Sequence, residues 1–577
     1  MTDTVLGLNL TVTSTGIRLD DGACALVRDG ACVAAIPEER LNRRKHSGGV
    51  HSAVAYCLDA ASLSMADVDL VVVTTCCDVT PNRETACQLL DQEACSVPPE
   101  RVHVAPSHHT AHAASTFLCS PFEEAAILVA DNMGNVIGEQ RHADCWLNRF
   151  ERTTIFHGRR GTGGSSIQLR RRYGDREATL CLGAVYHYFT RWLGFDSYHE
   201  SGQVMALAGF GTGELSGARL FDWTGGELTC LMPQRHLEKA TTVRAFFQEQ
   251  LGVDIGPARA RDEEPTRIHA EVAWVVQREL ERVWVALVDH ALSITGARNV
   301  CLAGGVALNC VANTCLLTSP LLRGRLDGLF VQPASSDVGQ ALGNALWGAE
   351  VVLGGGKRWV MMSDALGKPY TDACIRGCLD AWGDRIRICE HRDPFHAAAA
   401  WIAEGRIIGW FQGGSELGPR ALGHRSILGD PRTRETKCRL DASIKRRAVF
   451  RPYAPAILAT RAAKWVNLSD AELAVGEAPL RMMLVSPLIR EHQRARVPAI
   501  VHADGSARCQ LVSEACTPEL FRLITQFETL TGVPLVLNTS FNGPGEPIVE
   551  SPADALGALF RLRLDALVLG QYLVEPA

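Results

Sequence analysis

Short apolar runs alternate with longer stretches of helical period along this chain of 577 residues. Residues 5–10 form the first strand-like run. Residues 23–27 and 31–36 flank Arg28-Asp29-Gly30, and apolar runs around Asp-Gly predict a hairpin. Residues 69–74 and 125–130 read as parallel strands with helical patterns between them, which predicts an α/β sheet. The second run ends at Asp131, at the expected mouth of a sheet. Residues 178–211 read as mostly helical and residues 270–291 as one amphipathic helix. Between them, residues 213–265 are irregular and polar, and read as an insertion or lid. Strands at 300–303 and 329–333 lead into Gly304-Gly305 and Ser335-Ser336-Asp337, with a helix over 341–349. A strand running into paired glycines and then a helix brings backbone N–H groups to an anion, or simply turns tightly.

The length implies two or three domains, and Gly354-Gly355-Gly356-Lys357 marks a boundary. Beyond it, arginines stand beside Gly, Pro and Ser in successive loops. These are Gly418-Pro419-Arg420, Ile444-Lys445-Arg446-Arg447, Phe450-Arg451-Pro452 and Asp504-Gly505-Ser506-Ala507-Arg508. Guanidinium forks match phosphate oxygens, so these loops suit a small phosphate ligand. Singly, each is a surface salt bridge.

The stretch Ser107-His108-His109-Thr110-Ala111-His112-Ala113 adds a different chemistry. On a helix the i, i+4 spacing stacks His108 and His112 on one face, where two imidazoles can clamp one metal ion. Pro106 suits the first helical turn. A formal charge of −6 argues against a general nucleic-acid binder, and no apolar run is long enough to span a membrane. Met1-Thr2-Asp3-Thr4 has no basic signal-peptide region. The 20 cysteines are scattered and lack Cys-x2-Cys spacing, which reads as buried thiols of a cytoplasmic protein.

Taken in order, these blocks resemble the bacterial carbamoyltransferase family that includes nodulation-factor, cephamycin and tobramycin O-carbamoyltransferases. Carrying the resemblance are Glu38-Glu39-Arg40 with Lys45-His46, the stretch from His108 to Ala113, and Ala303-Gly304-Gly305-Val306-Ala307-Leu308-Asn309. Gly418-Pro419-Arg420-Ala421-Leu422-Gly423, Phe450-Arg451-Pro452-Tyr453-Ala454-Pro455 and Asn538-Thr539-Ser540-Phe541-Asn542 complete it.

The resemblance implies an α/β fold, with an actin-like (ASKHA) ATPase-type domain over residues 1–355. It implies a linker over 356–385 and an α+β YrdC-like domain over 386–577. It implies an enzyme that makes carbamoyl adenylate from carbamoyl phosphate and ATP. The carbamoyl group then passes to a hydroxyl of a small natural product, in antibiotic or other secondary metabolism. Carbamoylation of an amine, and a nucleotide-binding descendant without activity, are the alternatives. The implied metal ligands are His108, His112, Asp131 and Asp337, for Fe(II), Zn or Mn, with Mg accompanying ATP. Lys45, Gly134, Gly304, Gly305 and Asn309 would hold the nucleotide. Arg420, Lys445, Arg447, Arg451, Arg508, Asn538 and Ser540 would hold carbamoyl phosphate. Asp20, Glu271 and Lys45 are the catalytic candidates. Neither nucleic acid nor membrane is expected as a partner; a homodimer is plausible.

Several positions depart from the family pattern. Asp20-Asp21 stands for His-Asp, Glu271 for Asp, and Asp131-Asn132-Met133-Gly134 for Asp-Gly-x-Gly. Gln203 replaces a lysine, Ala206 a glycine, and Arg447-Ala448 an Arg-Glu pair. The metal and phosphate ligands are intact, while positions on the acceptor side and behind the ligands have changed, which implies an active enzyme with an unusual acceptor. Residues 140–180 and 213–265 are expected to line its site.

Overall fold

The computed structural model describes residues 3–577 apart from 11–19, 76–81, 143–144, 162–166, 175–181, 196–197, 233–239, 356, 390 and 392. The hairpin expected at Asp29-Gly30 is present. Asp29 (φ 52°) and Gly30 (φ 79°) both take the left-handed conformation that a two-residue turn needs, and join strands Ala23–Arg28 and Ala31–Pro37. With Thr4–Asn9, Leu70–Thr74 and Val102–Val104 they form a sheet in spatial order 3-2-1-4-5. Leu70–Thr74 is buried throughout, as an apolar run covered on both faces must be.

A second sheet repeats that order with Glu124–Ala130, Thr153–Arg160, Ile167–Gly174, Asn299–Ala303 and Gly328–Val331. Two sheets with one strand order, one after the other, make the duplicated α/β core of an actin-like fold. The strands at 70–74 and 124–130, read together as a parallel pair, therefore belong to different sheets. Leu70–Thr74 runs parallel to Thr4–Asn9, and Glu124–Ala130 runs parallel to Asn299–Ala303.

Helix Val338–Trp347 is wedged between the first sheet and helix His108–Phe117, and tight contacts set its depth. A Cβ on Gly7 would lie 2.1 Å from the Ala341 carbonyl oxygen, and one on Gly343 would lie 2.2 Å from that of Ala111. Only glycine permits such backbone approach. Asp337, just before this helix, is thereby carried to the histidine-bearing helix.

Residues 213–265 are more regular than their polarity suggested. Strands Phe221–Thr224 and Glu227–Cys230 pair around Gly225-Gly226, both at positive φ, and helix Ala240–Leu251 follows. Helices Leu182–Trp192 and Ser201–Ala208 account for much of 178–211, of which 178–181 and 196–197 fall outside the described residues. The long helix spans Arg267–Thr295. No described helix is long and apolar enough to cross a membrane.

Beyond the boundary, eight strands from Ile386–Cys389 to Tyr572–Pro576 form one mixed sheet with helices packed against it, an α+β arrangement. The two halves meet through main-chain acceptors. Arg40 donates to Gly418 O (2.8 Å), Arg43 to Pro547 O (2.9 Å) and Ile548 O (2.6 Å), and Asn313 to Leu484 O (3.0 Å). The Glu38-Glu39-Arg40 block is thus largely architectural. Glu38 accepts from Ala53 N (2.8 Å) at the start of helix His51–Ala60, and Arg40 is buried in the joint.

Candidate functional site

Ser107 caps helix His108–Phe117 by accepting from Thr110 N (3.2 Å), so Pro106 precedes the cap and does not occupy the first turn. From that fixed start His108 and His112 project one turn apart, with ring centroids 4.9 Å apart and both side chains buried. Asp131 reaches them from the end of strand Glu124–Ala130, and Asp337 from the start of helix Val338–Trp347.

His108 Nε2 lies 3.4 Å from Asp131 Oδ2 and 3.2 Å from Asp337 Oδ1. His112 Nε2 lies 3.1 and 3.3 Å from the same two atoms. One ligand atom from each residue falls within 4.8 Å of the others, a spread that one ion with bonds of about 2 Å bridges. Two imidazoles with two carboxylates suit iron(II), zinc or manganese better than magnesium. Burial opposes charge on both rings, but the carboxylates outweigh it and raise His108 and His112 above the ordinary imidazole value. In turn the rings hold Asp131 and Asp337 well below the carboxylate range, against their own burial.

Gln340 is the residue that the sequence did not single out. Its Nε2 lies 3.0 Å from Asp337 Oδ1, 3.1 Å from His108 Nε2 and 3.2 Å from His112 Nε2. Its Oε1 is buried without a hydrogen-bond partner. The signal was its position one helical turn after Asp337. His109, between the two clustered histidines, faces elsewhere: its Nδ1 pairs with Thr154 Oγ1 (2.7 Å), and burial pushes it down to about 3.

The expected nucleotide residues divide. Gly305 N approaches Asp131 Oδ1 (3.4 Å), and a Cβ on Gly304 would lie 2.3 Å from Ala130 O, so this pair closes against the His/Asp cluster. Gly134 lies beside the rings of His108 and His109. Asn309 instead caps helix Cys310–Thr318 and bonds Gln277 (2.9 Å), which occupies its carboxamide. Lys45 is exposed and lies within electrostatic range of Lys445.

Of the expected phosphate residues, Arg420, Arg447, Arg451 and Arg508 line one cavity of about 190 Å³. Its other wall comes from the first half, including Met205, Trp274, Gln277 and Cys310. The Nε atoms of Arg420 and Arg508 have no hydrogen-bond partner. Burial first, then the neighbouring guanidiniums, lowers Arg420, Arg451 and Arg508. The four arginines face the cavity against two acidic residues, Glu281 and Asp504, and this positive balance suits an anion.

Lys445, Ser540 and Asn538 lie off the cavity lining. Lys445 Nζ is enclosed by Ser540 O (2.5 Å), Asn542 O (2.9 Å) and Asn542 Oδ1 (2.9 Å). Asn538 joins Ala421 O (3.1 Å) to Gln510 Oε1 (3.0 Å). These three shape the loops that carry the arginines.

Glu271 is placed against its expected role as a base. Its carboxylate accepts from Thr212 N (2.6 Å), Thr212 Oγ1 (2.8 Å), Gly213 N (3.0 Å) and Glu214 N (3.0 Å). Burial works against its charge, but these bonds outweigh it and hold Glu271 below the usual carboxylate range. It anchors loop 212–214. Asp20, by contrast, meets His199 Nε2 at 3.2 Å near the start of the first hairpin. Gln203, in place of the family lysine, donates to Glu200 (2.7 Å).

Comparison with known proteins agrees with this organisation. A family model described as carbamoyltransferase N-terminus matches residues 13–95 and 89–346, and one described as carbamoyltransferase C-terminus matches 399–576. The chain is 34% identical over 594 residues to nodulation protein NolNO of Sinorhizobium fredii, covering 96% of this chain and 79% of that protein. It is 33% identical over 499 residues to nodulation protein NolO of Bradyrhizobium diazoefficiens, covering 81% and 78%. An uncharacterised protein of Synechocystis is 31% identical over 616 residues, covering 96% and 95%. Together the two family models take in most of both halves, and the chain therefore belongs to the carbamoyltransferase family.

Proposed function

We propose that this carbamoyltransferase is ATP-dependent and works through carbamoyl adenylate, passing the carbamoyl group to a hydroxyl of a small natural product. The observation that carries the reading is the cavity holding Arg420, Arg447, Arg451 and Arg508, with the orphaned Nε atoms of Arg420 and Arg508. Such a site demands a compact, highly charged anion, and carbamoyl phosphate is one. Its cleavage by water gives carbamate and inorganic phosphate, with the guanidiniums holding the developing phosphate charge. Carbamate oxygen then attacks the α-phosphorus of ATP, and pyrophosphate leaves with the bonding electrons.

In this reading residues 386–577 supply the donor site, residues 1–355 the transfer site, and 356–385 the connection. His108, His112, Asp131 and Asp337 would hold a divalent ion, which supplies Lewis acidity for the transferring group. Gln340 borders the ion's place, with its carboxamide nitrogen beside Asp337 Oδ1 and both imidazole Nε2 atoms. Gly304 and Gly305 bring backbone close to the same place, where they admit the adenylate.

The test is incubation with ATP, carbamoyl phosphate and Mn²⁺ or Fe²⁺ without an acceptor, followed by mass spectrometry. Carbamoyl adenylate with pyrophosphate is the expected result. ADP with inorganic phosphate would point to a phosphotransferase and overturn the reading.

A further inference from the structure

A second group of titratable side chains lies between the His108/His112 cluster and the arginine cavity. The rings of His46 and His199 stack with centroids 3.4 Å apart and planes 11° apart. His199 Nε2 lies 3.2 Å from Asp20 Oδ2, and His46 Nδ1 lies 3.7 Å from Asp21 Oδ1. Two contacts fix its location. Asn9 Nδ2 donates to both Asp21 O (3.1 Å) and Asp337 O (2.9 Å), tying the group to a residue of the His/Asp cluster. On the other side Glu200, next to His199, lies in electrostatic range of Arg451, and Lys45, next to His46, in range of Lys445.

Asp21, His46 and His199 bring their ligand atoms within 4.8 Å, but ring geometry argues against a metal. An imidazole binds a metal in its own plane. Two stacked rings with planes only 11° from parallel offer no nearby point common to both planes. Nor is the group core filling: His46, His199 and Asp20 keep 31%, 17% and 41% of their side-chain surface accessible. Asp21 (φ 62°) and His46 (φ 57°) both hold left-handed backbone, a strained state that collects at functional sites.

We propose, resting on the function above, that His199 is the base that activates the acceptor hydroxyl and Asp20 its positioning residue. Nε2 turned to Asp20 makes Nδ1 the proton-accepting nitrogen. The acceptor oxygen gives its proton to Nδ1 and forms a bond to the carbamoyl carbon. The bond from that carbon to the adenylate oxygen breaks, and its electron pair leaves on AMP. Asp20 stabilises the resulting imidazolium, and the His46 ring fixes the plane of His199 by stacking. Among the described residues, Asp21, His46 and His187 also lie near this imidazole, and Glu200 follows it in the chain.

A base brought to Asp20 from residue 199 supplies an imidazole where the sequence shows Asp20-Asp21 in place of His-Asp. The departure is thereby compensated in space, from a segment about 180 residues away.

The experiment is a single-turnover quench with ATP, carbamoyl phosphate and Mn²⁺, with water as the acceptor probe. Pyrophosphate reports the donor step and AMP the transfer step. His199→Gln is expected to slow AMP formation about 10²-fold or more while pyrophosphate forms at the wild-type rate. Asp20→Asn is expected to slow AMP formation and to move the acid limb of its pH profile, which a merely structural role would not do. Imidazole ¹⁵N NMR of Asp20→Asn should show a changed His199 tautomer. AMP formation unchanged in His199→Gln, or pyrophosphate lost with it, would overturn the assignment while leaving the proposed function standing. Absence of pyrophosphate from the wild type would overturn that function and this inference together.

Discussion

Tyr56 Oη donates a 2.5 Å hydrogen bond to Glu550 Oε1, joining a helix of the first half to the second across 494 positions of sequence. Tyr56 also accepts from Lys368 N (2.7 Å), and both side chains are buried. Glu550 Oε2 already lacks a partner. Tyr56→Phe therefore leaves a buried carboxylate without its remaining side-chain donor. The expected cost is about 1–3 kcal/mol of stability, read by thermal unfolding, with no change in the contacts of the arginine cavity.

Glu271→Ala is expected to act through loop 212–214. Four donors lose their acceptor, at a cost of about 1–3 kcal/mol. The folded carboxylate lies below its unfolded value, so its stabilisation is present above pH ~4.5 and is lost as pH falls through the folded value. The gap in Tm between wild type and variant should close on acidification below that point.

Asp364 has the opposite sign. Burial, with Glu416 nearby and against help from Gly418 N, pushes its carboxyl up to about 8. A folded state that keeps its proton longer than the unfolded chain loses stability as pH rises from ~4 to 8. Asp364→Asn removes that dependence. The variant should gain on the wild type by at most about 1.4 kcal/mol per pH unit over this window, measured as unfolding free energy at pH 5 and pH 8.

Gln340→Ala removes an amide donor from three atoms that an ion would take and should not weaken metal binding, measured by titration with Mn²⁺ or Zn²⁺. His112→Ala should abolish it under the same conditions. Chelation of a loaded sample should lower Tm, because an ion held at 100 times its dissociation constant stabilises by about 2.7 kcal/mol.

Arg420→Gln should raise the Tm of the ligand-free protein, since it relieves repulsion among buried guanidiniums. It should also remove the rise in Tm that inorganic phosphate gives the wild type. A variant that kept the phosphate response would place the anion elsewhere.

Much of this was readable before the fold was known, and the failures have physical reasons. Asp29-Gly30 announced its hairpin because only certain residues tolerate positive φ at both turn positions. His108 and His112 announced their shared face through helical spacing. Asp131 and Asp337 could be attached to them only by resemblance, since neither spacing nor composition says which strand end meets which helix. Gln340 was missed because a neutral amide carries no charge signal. Asn309 and Asn538 looked like ligand groups, but their carboxamides are occupied by protein partners distant in sequence, Gln277 for the first and Ala421 with Gln510 for the second. The hairpin at 221–230 was hidden by its exposed, polar face, although Gly225-Gly226 marked its turn. His199 lies far in sequence from Asp20, and only folding reveals the pair.

Arg40 and Arg43 grip main-chain carbonyls, and these contacts do not depend on which side chains stand at the accepting positions, while Arg43 also faces Asp554 (3.7 Å). Backbone cannot mutate away its oxygen. Gly418, Pro547 and Ile548 would keep these bonds whatever side chains they carried. For the carbamoyl adenylate proposed above, a species with a short life in water, a fixed joint replaces a race against time with a fixed distance to travel.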